Sequence, residues 1–154
     1  MLADLIGFWS HQMLYNSAMQ DYSLYFSQRG EGTYAYQRPG ICRGAVFTWR
    51  LDDDHLTTRT VRQFSGCLGE LSRGGGDPFD VREVRVSFSE RFAFLLQRQT
   101  RVLDLNGGAA HGLGPWRPAT LDFAYLRPEC PDPFKAQILR AHAYFNQRGG
   151  LPRP

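Results

Sequence analysis

The sequence predicts an all-β protein: an eight-stranded antiparallel up-and-down β-barrel, followed by one C-terminal α-helix. Two observations predict it. Apolar and polar residues alternate with a period of two along most of the 154 residues, as they do in strands with one buried face. Short polar connections also alternate strictly with longer ones rich in glycine and proline. Successive connections of a meander lie at opposite ends, so the long ones gather at one open mouth.

Eight segments carry the strand pattern. The second and third are aromatic, the fifth is rich in β-branched residues, and in the sixth Val84, Val86 and Phe88 alternate with polar residues. The eight segments are 7–13, 22–28, 32–38, 44–51, 55–64, 80–88, 91–103 and 119–127. Repeated short strands of this kind favour a closed barrel over an open sheet.

The connections between these segments fall into two classes. Residues 29–32, 52–55 and 89–91 are short and polar, and they are predicted to be tight hairpin turns. The longer connections are 14–21, 39–44, 65–79 and 106–118. Because the two classes alternate, the tight turns are expected at the closed end of the barrel and the long loops at its mouth.

One amphipathic helix is predicted after the last strand, over about 132–148. Asp132 is a helix-capping residue, Pro133 suits the first turn, and Gly149 ends the pattern. Phe134 and Ile138 recur at helical spacing, so this helix is expected to pack on the outside of the barrel. The whole chain, 1–154, is read as one domain with its barrel over about 7–127.

Composition excludes several classes of function. The formal charge is +3, and Lys135 is the only lysine. The arginines are interspersed with acidic residues, so no basic run suggests nucleic acid. No window approaches the roughly 20 apolar residues of a membrane span. Asp4 interrupts the pattern of a secretory signal, which favours a cytoplasmic location.

Cysteine and histidine spacing predicts no metal site and no cofactor. Cys42, Cys67 and Cys130 are odd in number and far apart, as expected for reduced thiols in a cytosol. The histidines are equally scattered, at positions 11, 55, 111 and 142. No nucleophile elbow and no phosphate-binding loop occurs.

At its two ends the chain resembles the lipocalin or calycin superfamily, in particular bacterial lipocalin-like domains of the cytosol. Gly7-Phe8-Trp9 matches the Gly-x-Trp opening of the first strand, and Arg127 follows the last strand. LYFSQRGEGTYAY also resembles the second and third strands of such domains. The resemblance implies that Trp9 and Arg127 form a structural barrel floor, with the guanidinium lying on the indole.

Alternation assigns the barrel interior, and with it a candidate ligand site. In the third strand, either Tyr34 and Tyr36 or the smaller Thr33 and Ala35 face inward. The first choice makes an aromatic cavity with hydroxyl groups. The candidate ligand-binding residues are Leu24, Tyr34, Tyr36, Phe47, Trp49, Val84, Val86, Leu96, Trp116, Phe123 and Tyr125. Phe26, Phe88 and Phe94 are predicted to face inward as well. The competing interpretation is that these side chains fill the barrel completely.

Two further groups of residues are open to a functional interpretation. Trp116 and His111 lie in a glycine-rich stretch that would suit a lid, and a loop histidine titrates near neutral pH. Arg59, Arg62, Arg82 and Arg85 either receive an anionic group of the ligand or form a solvated outer face, which is the simpler interpretation.

Three functions follow from this pattern. The first is binding of a small hydrophobic molecule by an intracellular lipocalin-like protein, as a monomer or homodimer. The second is a cofactor-independent cyclase, isomerase or lyase of a biosynthetic pathway, in which Tyr36 and His111 would be the catalytic residues. The third is an interaction protein that uses the C-terminal helix.

Overall fold

The computed structural model describes residues 2–11, 13–14, 21–38, 41–66, 72–73, 84–106 and 120–128. One short helix precedes nine strands. They are α1 (Leu2–Leu5), β1 (Gly7–Ser10), β2 (Asp21–Phe26), β3 (Glu31–Arg38), β4 (Ile41–Asp52), β5 (His55–Gly66), β6 (Ser72–Arg73), β7 (Val84–Ala93), β8 (Arg98–Asn106) and β9 (Thr120–Leu126). The predicted helix over 132–148 and most of the long connections lie outside these ranges.

Eight of the strands form a closed antiparallel ring. Each pairs with the next along the chain, β9 returns to β1, and the two-residue β6 branches from β5. The predicted order of eight antiparallel strands is therefore confirmed. We call the end where Gly7 pairs with Phe26 the turn end, and the opposite end, where β1 ends and β2 begins, the loop end.

The inside of the ring is lined by one apolar cluster to which all eight strands contribute. Its buried members are Leu5, Trp9, Tyr22, Leu24, Phe26, Tyr34, Ala45, Phe47, Trp49, Leu56, Val84, Val86, Leu103, Leu105 and Phe123. They follow the period of two that the sequence shows, because alternate residues of a strand point to opposite faces. Leu5 of α1 joins the cluster at the turn end, where its carbonyl accepts a hydrogen bond of 2.9 Å from the Trp9 indole N–H.

At two positions only glycine fits, because neighbouring residues lie too close to the backbone for a Cβ atom. Gly7 has a φ of +132°, and a Cβ there would lie 2.7 Å from Cε2 of Tyr125. At Gly32 a Cβ would meet the Phe47 ring and lie 2.7 Å from the carbonyl oxygen of Tyr25. The glycine of the Gly-x-Trp opening therefore lets β1 start against the Tyr125 ring.

The predicted turn at 89–91 is wrong, because β7 continues through these residues to Ala93. The turn lies at 94–97, where Gln97 adopts a left-handed φ of 51° and its N–H donates to the carbonyl of Phe94. Ser89 and Arg91 are polar because they face Asp104 and Asp122, and not because the chain reverses there. Phe94 and Leu96, predicted to face the barrel interior, lie in the turn instead.

The distal half of the β7–β8 hairpin folds back over the outer face of β9 and β1. The ladder between β8 and β9 ends at Val102. Beyond it, Ala93 and Thr100 are buried on one face of the hairpin, whereas Phe92 on the other is exposed. At the tip, the N–H of Leu95 donates to the carbonyl of Met13 at 3.4 Å. The hairpin therefore forms a second layer over these two strands.

Candidate functional site: the loop end of the ring

Three tyrosines lie inside the ring near its loop end. The rings of Tyr22 and Tyr36 are 5.1 Å apart, and those of Tyr22 and Tyr34 are stacked at 6.4 Å. Tyr22 and Tyr34 are buried and Tyr36 is half-buried. Of the two faces that the sequence left open for β3, Tyr34 and Tyr36 point inward, whereas Thr33 and Ala35 point outward. We call Tyr22, Tyr34 and Tyr36 the tyrosine cluster.

His11 joins the tyrosine cluster from the end of β1. Its imidazole meets the Tyr22 ring edge-on at 5.8 Å and the Phe123 ring at 6.1 Å. Its Nδ1 lies 2.8 Å from the backbone carbonyl oxygen of Asp122. Because a carbonyl only accepts hydrogen bonds, Nδ1 carries the proton, and Nε2 of the neutral ring is the basic nitrogen.

Burial keeps the Tyr22 phenol neutral. Desolvation raises the pKa of Tyr22 above its usual value, and the neighbouring Tyr36 phenol raises it further. Within the tyrosine cluster, Tyr22 therefore offers a neutral hydroxyl, which both donates and accepts hydrogen bonds.

Toward the turn end the interior becomes apolar. Phe26 packs edge-on against Phe47 at 5.7 Å and against Trp49 at 5.4 Å. The Trp49 indole N–H donates to the carbonyl of Glu31 at 3.0 Å, so its polar atom is satisfied by the protein. The ring thus has an apolar lower half beneath a hydroxyl-bearing upper end.

Most of the predicted ligand-binding residues for which the structure gives a position lie inside the ring. Seven more share the interior with the tyrosines: Leu24, Phe47, Trp49, Val84, Val86, Phe123 and Tyr125. Leu96 does not, because the β7–β8 turn carries it away from the interior. Trp116 and His111 lie outside the described residues.

The predicted floor residues occupy the turn end. Trp9 is fully buried, and its indole packs against Phe88 at 5.9 Å and Tyr125 at 5.1 Å. Arg127 is exposed at the same end. Another cation, Arg101, lies over an aromatic ring near this end, 5.8 Å from the centre of the Phe88 ring. The predicted stacking of Arg127 on Trp9 stays a prediction.

Three of the four arginines that the sequence suggested for an anionic group of the ligand face outward. Arg59 pairs with Thr48 on the outer face of β5 and is exposed. Arg85 is exposed and lies 3.3 Å from Asp54. A register shift opposite Val46 and Phe47 keeps Arg62 on the outer face too, since it pairs there with Val46. The solvated outer face is confirmed for Arg59 and Arg85, whereas Arg62 is half-buried on the outer face with its Nη1 atom buried. Arg82 lies outside the described residues.

Sequence reasoning missed a polar network that lies directly behind His11, beneath the folded hairpin. Arg91 donates to Asp122 at 2.9 Å and to Asp104, and Asp104 accepts a hydrogen bond of 2.9 Å from Ser89. The Asp122 carboxylate also lies 3.5 Å from His11. One signal was available: Asp122 interrupts the apolar run of β9 at a position facing away from Phe123.

Comparison with known proteins identifies no relative. No protein-family model, curated protein or solved structure matches the chain. Within the described ranges, no group of histidine, cysteine and acidic side chains is arranged to hold a metal ion. No helix in the same ranges has the length and apolar character needed to cross a membrane.

Proposed function

We propose that this chain is a cytoplasmic lipocalin-like β-barrel protein that binds a small hydrophobic molecule at the loop end. One observation carries the proposal. The tyrosine cluster and His11 converge inside the ring, at the end where the sequence places its glycine-rich connections. Side chains that only close a core do not need three hydroxyl groups and an imidazole at one end.

The chemistry of these residues suits an aromatic or polyunsaturated ligand with one polar group. The ring faces of Tyr22, Tyr34 and Phe123 supply apolar area for its body. The Tyr36 hydroxyl and the Nε2 of His11 supply hydrogen bonds for its polar group. Trp49 and Phe47 below them limit how deep the ligand descends.

Native mass spectrometry of freshly purified protein, followed by solvent extraction, tests this proposal. A co-purifying mass lost on denaturation is the expected result. Tyr36→Leu is expected to weaken its retention by about tenfold, since one aromatic contact and one hydrogen bond disappear. Tyr25→Leu is the matched control, because Tyr25 is on the outer face of β2, where it stacks on Phe8 at 4.6 Å. Two results together contradict the proposal: no co-purifying mass, and equal binding of anilinonaphthalene sulfonate by the wild type and Tyr36→Leu.

Catalysis without a cofactor is the second candidate, favoured by the fixed tautomer of His11. Its Nε2 would exchange a proton with a bound substrate, and the neighbouring tyrosines would hold that substrate away from water. The same extraction separates the two candidates. If His11→Gln retains a molecule of different mass from that of the wild type, the site turns its ligand over. If the molecule is the same, the site is a binding site.

A further inference from the structure

The large apolar side chains that the described part of the chain exposes are confined to α1 and the β7–β8 hairpin. Leu2 is 57% exposed, and Phe92, Phe94 and Leu95 are 51%, 49% and 42% exposed. Leu2 lies at the turn end and the other three lie on the folded hairpin, outside the ring that encloses the tyrosine cluster. Exposed apolar groups gathered on one surface mark an interaction site more often than scattered ones do.

The helix and the hairpin that carry these side chains are held together. Arg101 of β8 donates to Asp4 of α1 at 2.8 Å. Between the two elements lies a polar cleft of about 320 Å³. Phe92 and Gln99 are opposite each other in the ladder, as are Glu90 and Arg101. Phe92 therefore projects from the same face of the hairpin as the cleft residues Gln99 and Arg101.

The surface is basic as well as apolar. From Arg91 to Leu103 the chain has three arginines and no acidic residue. Arg91 points to the opposite face, toward Asp104 and Asp122. Arg98 pairs with Ala93 and is in phase with Arg91, whereas Arg101 projects from the same face as Phe92, and both Arg98 and Arg101 line the cleft. Arg127 lines the same cleft, with Asp4 and Glu90 as its acidic residues. We call Leu2, Phe92, Phe94, Leu95, Arg98 and Arg101 the hairpin–α1 surface.

We propose that the hairpin–α1 surface docks this protein on an anionic lipid bilayer. Phe92, Phe94 and Leu95 enter the boundary between headgroups and acyl chains, and Arg98, with Arg127, contacts lipid phosphates. Charge complementarity selects the anionic membrane. A hairpin tip and one helical turn are also small for a protein interface, which usually takes about 20–30 residues from each side. The strength of interfacial membrane binding instead scales with the apolar area buried plus the electrostatic attraction to anionic lipids.

Vesicle flotation of the full chain tests this inference. Vesicles of phosphatidylcholine alone are compared with vesicles that contain equal amounts of phosphatidylcholine and phosphatidylglycerol. The wild type is expected to float with the anionic vesicles and not with the neutral ones. Phe94→Ser/Leu95→Ser is expected to weaken anionic partitioning by at least about tenfold, because both side chains lose their apolar area. Both positions are exposed, so the variant keeps its fold, which its melting temperature checks.

Two double variants that remove the same charge test the role of the arginines in vesicle binding. Arg98→Gln/Arg127→Gln is expected to weaken binding to anionic vesicles by about tenfold. Arg50→Gln/Arg59→Gln removes the same charge from the outer faces of β4 and β5, and it is expected to bind like the wild type. If both double variants lose binding to anionic vesicles equally, only the net charge of the protein determines binding, and the proposed surface is wrong.

Two other results would overturn the proposal. One is unchanged flotation of the tip variant. The other is a wild-type dimer in light scattering that the tip variant dissociates, without vesicle binding by either form. That result would assign the surface to contact between two copies of the chain. Neither outcome affects the proposed ligand site, which lies at the loop end and is measured by extraction.

Discussion

At the scale of single residues, the same residue type takes different roles according to its face. Tyr22 and Tyr25 both belong to β2, three positions apart. Tyr22 points into the ring against Tyr34 and Tyr36, whereas Tyr25 stacks on Phe8 outside. The period of a strand is two, so an odd separation changes the face. The same substitution can therefore be made at an inner and at an outer tyrosine of one strand, so that the two variants differ only in the face they change.

Tyr22 makes the stability of the fold depend on pH in the alkaline range. Its pKa is raised in the folded state, so above the unfolded value of about 10 the folded chain binds more protons than the unfolded one. The free energy of unfolding is therefore expected to fall as the pH rises through this range. Tyr22→Phe is expected to show a smaller fall in urea denaturation followed between pH 9 and pH 11.

Tyr25→Phe is the control for this measurement, because it removes a hydroxyl from the outer face of the same strand. It is expected to keep the pH dependence of the wild type. If Tyr22→Phe and the wild type lose stability in parallel, the buried phenol is not the titrating group.

Alternation predicted that either Tyr34 and Tyr36 or Thr33 and Ala35 face inward, but it did not choose between them, and the role of His11 could not be predicted. The sequence places His11 in phase with Trp9 and so on the inner face. It does not show that the Asp122 carbonyl fixes the tautomer of His11. Asp122 is more than a hundred residues away along the chain, and only closure of the ring brings β9 beside β1.

At the scale of elements, the β7–β8 hairpin departs most from what the sequence predicts. Ser89-Glu90-Arg91 has the composition of a turn, and the apolar 94–97 does not. The chain nevertheless turns at 94–97, since Ser89 and Arg91 have polar partners on the outer face. Local composition cannot distinguish a turn from a strand whose polar face is buried against carboxylates.

Arg91 is expected to hold the folded hairpin in place. Arg91→Met leaves the carboxylates of Asp104 and Asp122 without their cation, so the free energy of unfolding should fall by about 1–3 kcal/mol. Arg50→Met is the matched control. Its ion pair with Asp52 is exposed, with side chains 78% and 66% accessible, and its loss should change stability by less than about 0.5 kcal/mol. Chemical denaturation measures both.

Addition of Asp104→Asn and Asp122→Asn to Arg91→Met should restore part of the lost stability, because no uncompensated carboxylate remains. Equal effects of Arg91→Met and Arg50→Met would show that the network does not hold the hairpin.

At the scale of the whole molecule, the ring is closed by pairs between strands far apart in the chain. Among the described residues, β5 and β7 share the pairs His55–Arg85 and Leu56–Val84, with one further hydrogen bond of 2.6 Å from the N–H of Val86 to the carbonyl of Asp54. The ladder between β7 and β8 runs along β7 from Arg85 to Ala93. We call the described β5–β7 pairs the seam, and we expect it to open locally at a lower free energy than the β7–β8 ladder.

Hydrogen exchange followed by mass spectrometry tests this seam. Amides in 54–56 and 84–86 are expected to exchange at least about tenfold faster than those in 102–105, which β7 and β9 flank on both sides. Equal protection of the two regions would mean that the ring opens only by global unfolding.

The sequence by itself determined the number and order of the ring strands and, for β2, β4 and β9, which side chains line the interior. Period-two alternation is local, and each strand carries it without reference to the others. The tertiary structure alone decided where the β7–β8 hairpin turns, that it folds over β9 and β1, and that His11 meets the tyrosine cluster. These features depend on contacts between residues far apart in the chain, such as Arg91 with Asp122, and on ring closure. No local pattern records them, because the partners become neighbours only after the strands have paired.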